Sequence, residues 1–278
     1  MKKTISAILV AILLTITITP VKASAKTTPG EVDVPIIMYH SLLDRTTNEW
    51  NISPSAFEDD LSYLSENGYT AVHISDIIAY AYYGAPLPPK PIVLSFDDGY
   101  YNNYSQGMPL LEKYDKKITL AIIGSNTDHW TKHPDETDER YGHLTWPQIS
   151  EMTATGRVEL ANHTNSLHKN EGGRKGCRII EGENPEDYRR IISDDLEVLQ
   201  TRIEEMGIPR PECFVYPFGA YCNQADEVLA SMGFKATLSC EEGMNHLSVG
   251  DTSSLWRLKR SNRTPENSIQ EILAGLED

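Results

Sequence analysis

The sequence predicts an α/β protein: a single domain whose parallel strands close into a (β/α) barrel. Three observations point there. Short β-branched runs bounded by turn residues alternate with helical stretches along nearly the whole chain, the pattern of successive βα units. The best defined of these runs, Pro91-Ile92-Val93-Leu94, leads straight into Ser95-Phe96-Asp97-Asp98-Gly99. In parallel α/β architectures the carboxyl end of a strand is where chemistry sits, although Asp-Asp-Gly is also ordinary turn chemistry. Finally, no Gly-rich nucleotide loop follows any strand, which disfavours the doubly wound open sheet. The barrel is expected to have eight units or fewer.

Taken in order, the first 25 residues read as a secretion signal. Lys2 and Lys3 form a basic start, residues 5–18 an apolar core, and Ala23-Ser24-Ala25 a cleavage site before Lys26. The apolar run is short for a membrane span, and no cysteine lies near the cut to take a lipid. Residues 26–33 read as a short tether and 34–278 as the domain. Residues 34–39 form the first strand, ending at His40. Ser53 caps a helix with Pro54 at its first position, an apolar stripe of Phe57, Leu61 and Leu64, and Gly68 as its stop. A short strand spans 69–73, and Ser75 caps a helix to about Tyr83.

After the Asp-Asp strand, residues 104–114 read as helix, 118–123 as strand, and 125–141 as a polar loop. Thr145 caps a helix carrying Trp146, Ile149 and Met152, stopped by Gly156. Residues 158–161 form a strand that runs into His163. A long helix over 185–206 ends at Gly207. Strands at 213–216 and 235–238 flank a helix at 223–232, and the last strand is expected at 255–258.

Composition limits the partners. The 278 residues carry 40 acidic and 25 basic side chains, a formal charge of −15; removal of Lys2, Lys3 and Lys22 with the signal takes it to −18. So acidic a chain repels nucleic acid and anionic membrane surfaces, and suits a neutral or cationic target. Four cysteines, Cys177, Cys213, Cys222 and Cys240, allow three disulfide connectivities in an exported protein, and none forms a Cys-x-x-Cys pair suited to zinc.

His163 and His168 lie five residues apart just beyond a strand. That offset separates them on a helix and opposes them on a strand, so both reach one point only from an irregular loop. By spacing alone, two such histidines are more often unrelated polar side chains. Coupled to Asp-Asp at another strand end, they complete a three-ligand set of two imidazoles and one carboxylate for Zn²⁺ or a similar divalent ion. The second carboxylate is then free to act as a base.

At this point the residues resemble a known family. Ser95-Phe96-Asp97-Asp98-Gly99, His163-Thr164 with His168, and Tyr216-Pro217-Phe218-Gly219 are similar to the motifs of polysaccharide deacetylases with the NodB homology domain (carbohydrate esterase family 4). The resemblance spans roughly 34–260. It implies a deformed (β/α) barrel with a parallel-strand core and metal-dependent removal of N-acetyl groups from GlcNAc polymers. By motif position it implies Asp97 as general base and Asp98, His163 and His168 as ligands of Zn²⁺, with Co²⁺ or Ni²⁺ as alternatives.

Two departures refine this. The five-residue histidine spacing, Met38-Tyr39-His40 and Tyr-Pro-Phe-Gly resemble the PgaB/IcaB-type deacetylases of biofilm poly-N-acetylglucosamine. Val215 stands where the family places an arginine, and Leu258-Lys259-Arg260 replaces its terminal Leu-x-His. Arg260 is therefore expected to orient Asp97 through paired hydrogen bonds. His40 and His246 are the candidates for general acid.

Tyr100, Tyr216, Pro217 and Phe218 are the expected substrate contacts, with Tyr39 and Trp146 as further aromatics whose ordinary role is packing. A backbone N–H near Tyr100 or Phe218 is expected to face the oxyanion. His129, His133 and His143 receive no role. The implied protein is secreted or held at the cell surface, acts on an acetylated glycan polymer, and has no membrane-spanning segment after signal cleavage. An O-acetyl esterase and a catalytically silent glycan-binding module are the competing functions, the latter disfavoured by the intact base and ligand set.

Overall fold

Eight segments of parallel backbone, one of them the short Thr70–Ala71 beside the start of Pro91–Phe96, form a curled sheet at the centre of the computed structural model, which describes residues 30–44, 48–133 and 138–277. From one edge the order is Ala236–Leu238, Cys213–Val215, Val158–Asn162, Ile118–Ile122, Pro91–Phe96, Ile36–Tyr39 and Ser261–Asn262. The two edges meet on one stretch of chain. Leu258 bridges Leu238 in parallel, and Ser261 and Asn262 then pair with Ile37 and Met38. Residues 258–263 are thus an irregular stave that closes the barrel. The expected secretion signal and the first half of the tether, residues 26–29, lie outside the described residues.

Side-chain alternation assigns the faces. Ile37, Tyr39, Ile92, Leu94, Phe96 and Leu120 point outward under the helices Pro54–Glu66, Trp146–Ala154 and Ile269–Glu277. Ile36, Val93, Ala121, Ala161, Val215 and Ala236 point inward, where the small residues leave room for a narrow bore. The helix Ile74–Tyr83 adds Ile74, Ile77 and Ile78 to that inner cluster. All six residues of Pro91–Phe96 are buried, as strands of a covered parallel sheet must be.

Several helix signals act as expected. Ser53 Oγ accepts the Ala56 N–H at 3.1 Å, and Thr145 exchanges capping hydrogen bonds with Gln148. Asn184 caps Pro185–Glu205 through the N–H groups of Glu186 and Asp187.

Other elements differ from expectation. Residues 124–132, expected to be loop, form a helix of which only Gly124 and Thr127 are buried, so there is no apolar stripe to betray its period. The second helix begins after His73 rather than at Ser75, with Asp76 accepting the His73 N–H. No regular strand forms at 255–258: Arg257 adopts a positive φ of 59°, Leu258 makes a single bridge, and a paired strand begins only at Ser261. Glu31–Val34, mostly assigned to the tether, pairs antiparallel with Asn245–Ser248. All four cysteines are free thiols.

Candidate active site

The parity that turns Val93 inward also turns Ser95 and Asp97 inward, so the Asp97 carboxylate caps the bore. It is 3% exposed and meets Arg260, which is completely buried. Arg260 Nη1 donates to Asp97 Oδ1 at 2.7 Å and to Ser95 Oγ at 2.9 Å, while Nε donates to Ser239 O at 2.7 Å. The expected paired bonds to Asp97 are therefore one bond, with the hydroxyl of Ser95 also directed at Asp97 Oδ1 at 3.4 Å. Burial alone would push the Asp97 carboxyl up, but the guanidinium and His163 together hold it below the usual carboxylate range.

One residue on, the chain leaves the sheet through two consecutive left-handed residues, Asp98 at φ 70° and Gly99 at φ 69°. For Asp98 this conformation costs on the order of 1 kcal/mol. At Gly99 a Cβ would stand 3.0 Å from the Ile122 side chain. The turn carries the Asp98 carboxylate toward the exit of Val158–Asn162, where Oδ1 lies 3.5 Å from His163 Nε2 and 3.4 Å from His168 Nε2.

The histidine loop shows how a five-residue spacing converges. Asn162 Oδ1 accepts the Thr164 N–H, Thr164 takes a φ of 73°, and Asp195 on the helix Pro185–Glu205 accepts the N–H groups of Asn165 and Ser166 and the Ser166 hydroxyl. Held this way, the 163 and 168 rings stand 4.8 Å apart.

These residues fit a divalent cation. Asp98 Oδ1 is buried without a hydrogen-bond partner, and the three donor atoms lie within 4.8 Å of one another. His163 Nδ1 donates to Val215 O at 2.7 Å, which orients the ring so that Nε2, the nitrogen left to take a cation, faces Asp98. Burial raises the Asp98 carboxyl, yet the surrounding imidazoles of His163, His40 and His168 hold it well below the usual range. One carboxylate and two imidazoles are a donor set for zinc or a similar borderline ion.

His40 is brought to the same place. Its carbonyl accepts Asn103 Nδ2 at 2.8 Å, its ring lies 4.7 Å from Trp50, and burial lowers its pKa against the pull of Asp97 and Asp98. His246 is not. It sits on Asn245–Ser248, paired with the stretch that precedes the first barrel strand, with Nδ1 2.6 Å from Asp33 and most of its side chain in solvent. The general-acid candidacy of His246 fails on position, since strand entrances and strand exits lie at opposite ends of a barrel.

The expected substrate contacts divide. Phe218 is 43% exposed, takes a φ of 59°, and packs its ring 4.4 Å from that of His168. Tyr100 sits against Asp98, and its own burial, with the Asp98 charge beside it, raises its phenol pKa. Tyr216 is fully buried among Phe214 and the outer helices and bonds Asp226, so it faces away from the mouth; Pro217 is buried as well. Tyr39 donates to Asp60 inside the protein, and Trp146 donates to the half-buried Asp128. Sequence reasoning passed over Trp50, Asp195 and His143, whose Nδ1 lies 3.0 Å from Asp98 O. They share no sequence signal: Trp50 and His143 lie in loops, whereas Asp195 is one of many polar positions on the helix Pro185–Glu205.

Fold and site together define a class, a barrel hydrolase with a carboxylate and two imidazoles beside an arginine-held carboxylate. The sequence profile of the polysaccharide deacetylase family matches residues 84–237, more than half the chain, and the chain belongs to that family. Among relatives, the poly-β-1,6-N-acetyl-D-glucosamine N-deacetylase of Escherichia coli K12 is 30% identical over 239 residues, covering 78% of this chain and 35% of its own length. The chain thus spans about a third of that relative. The protein of that name from Staphylococcus epidermidis is 20% identical, over 75% of this chain and 68% of its own.

Solved structures share the fold. IcaB from Ammonifex degensii aligns with a TM-score of 0.73 at 23% identity, over 88% of this chain and 97% of its own. A de-N-acetylase from Aggregatibacter actinomycetemcomitans aligns with 0.71 at 24%, over 87% and 99%. Among the described residues no helix is long and apolar enough to cross a membrane.

Proposed function

We propose that the protein is an exported, metal-dependent deacetylase that removes N-acetyl groups from a GlcNAc polymer of the poly-β-1,6-linked type. The observation that carries this reading is the adjacency of two different carboxylates: Asp97 paired to buried Arg260, and Asp98 facing His163 and His168. A binding module needs neither. The names of the E. coli and S. epidermidis relatives favour N-acetylglucosamine polymer as substrate.

Asp98, His163 and His168 would hold the ion, which when bound supplies a Lewis acid for the amide carbonyl and acidifies water. Asp97, kept ionised by Arg260, accepts the proton of the attacking water. The backbone N–H groups at Tyr100 and Phe218 are offered to the oxyanion. His40 delivers a proton to the departing amine, and its lowered pKa makes it the stronger donor once it holds one. Phe218 and Trp50, both exposed beside site histidines, are suited to stack on sugar faces. The product bears free amines, and an acidic chain does not repel a cationic polymer.

The test is acetate release from poly-β-1,6-GlcNAc, chitin oligomers, peptidoglycan and O-acetylated glycans, with and without chelator, using the wild type and His168→Ala. Release from an N-acetylated polymer that chelator and His168→Ala both abolish is the expected result. Release indifferent to chelator would overturn metal dependence, and release from O-acetylated glycans alone would make the protein an esterase.

A further inference from the structure

His143 was given no role by its position in sequence, yet it occupies a defined place against the centre. Its own backbone runs beside the Asp-Asp-Gly turn: Tyr101 N–H bonds Gly142 O at 2.8 Å, and Leu144 N–H bonds Gly99 O at 2.9 Å. The imidazole folds back over this clamp to reach the peptide of Asp98, the residue held at φ 70°. A carbonyl oxygen only accepts, so Nδ1 bears the hydrogen. The other nitrogen meets Asn126 Nδ2 at 3.3 Å, an amide that donates and therefore needs the Nε2 lone pair. Both contacts demand one tautomer, and the ring is further fixed by stacking on Tyr100 at 4.9 Å and 23°.

We propose that His143 is a positioning residue for the metal centre: its Nδ1–H pins the Asp98 carbonyl, holds that residue in its left-handed conformation, and so aims the carboxylate at His163 and His168. Asn126 sets the tautomer that makes this donation. The assignment rests on the metal-centre reading above. Without the Nδ1–H the turn relaxes, and the carboxylate loses its fixed approach to the two imidazoles while the barrel strands stay paired.

Two isosteric replacements separate this role from simple packing. In His143→Asn the side-chain amide nitrogen occupies the place of Nδ1, and in His143→Gln it moves to the place of Nε2. Zn²⁺ is titrated calorimetrically into chelator-stripped protein, with a thermal melt of each metal-free variant as control. His143→Asn should bind Zn²⁺ close to the wild type. His143→Gln and His143→Leu should bind about 10–100-fold more weakly, the usual effect of losing an outer partner of a ligand. The proposal is overturned if His143→Gln binds as well as His143→Asn, or if all three bind like the wild type. A wild type that takes up no Zn²⁺ overturns the metal-centre reading and this proposal together.

Discussion

Replacing Arg260 by Met tests whether its buried guanidinium serves Asp97. Arg260 and Asp97 are 0% and 3% exposed, and the ion pair between them is 2.7 Å long. Removing one partner of such a pair leaves an uncompensated buried charge and costs about 3–5 kcal/mol. For a domain of this size that corresponds to a melting temperature lower by roughly 6–20 °C. The rate should fall as well, because an Asp97 freed of its partner is neither fixed nor held ionised. The ceiling is the loss expected when the proposed base is itself replaced, as in Asp97→Asn, on the order of 10²–10⁴.

The double variant decides the mechanism. If Arg260 acts through Asp97, Asp97→Asn with Arg260→Met should be little slower than Asp97→Asn alone, and more stable than Arg260→Met alone, since no buried charge is then left without a partner. Acetate release and thermal melts of the four proteins complete the cycle. Rate losses that multiply would refute the coupling, as would an Arg260→Met enzyme with wild-type turnover.

Two further outcomes follow from the packing. Arg263 holds Asp60 through two hydrogen bonds of 2.8 and 3.1 Å inside the helix layer, joined by the Tyr39 hydroxyl, so Arg263→Met should cost about 3–5 kcal/mol in urea unfolding while leaving the KM of the folded enzyme unchanged. Because Tyr216 is spent on Asp226 while Phe218 faces the mouth, Phe218→Ala should raise KM for polymeric substrate. Tyr216→Phe should leave KM unchanged and lower stability by about 1–3 kcal/mol, measured by steady-state kinetics and melts.

Residues whose chemistry is announced by local context were legible in sequence. Asp97 and Asp98 end a continuous apolar run, and the spacing of His163 and His168 required an irregular loop, which Asn162, Thr164 and Asp195 provide. Arg260 was placed by its position at the end of the chain's last strand-like stretch, even though the regular strand expected there does not form.

What remained hidden depends on facing and on distant partners. Tyr216 shares parity with Phe214, which packs under the outer helices, whereas Val215 belongs to the inner cluster. Which parity faces inward becomes known only when the sheet curls. The helix Gly124–Lys132 hides because it rests on the protein by so few residues. His143 hides because its partners, Asp98 and Asn126, are brought to it from other strand ends.

The stave that closes the barrel has a consequence for the order of events during synthesis. Arg260 reaches Asp97 across 163 positions of sequence, and its backbone belongs to the stretch that joins the two sheet edges. Contacts of such long separation form late, after the loop they close has lost its freedom. While the chain is still emerging, a polypeptide that already contains both aspartates and both histidines therefore lacks the cation that holds Asp97. Pairing of Asp97 with its cation and completion of the barrel become a single event.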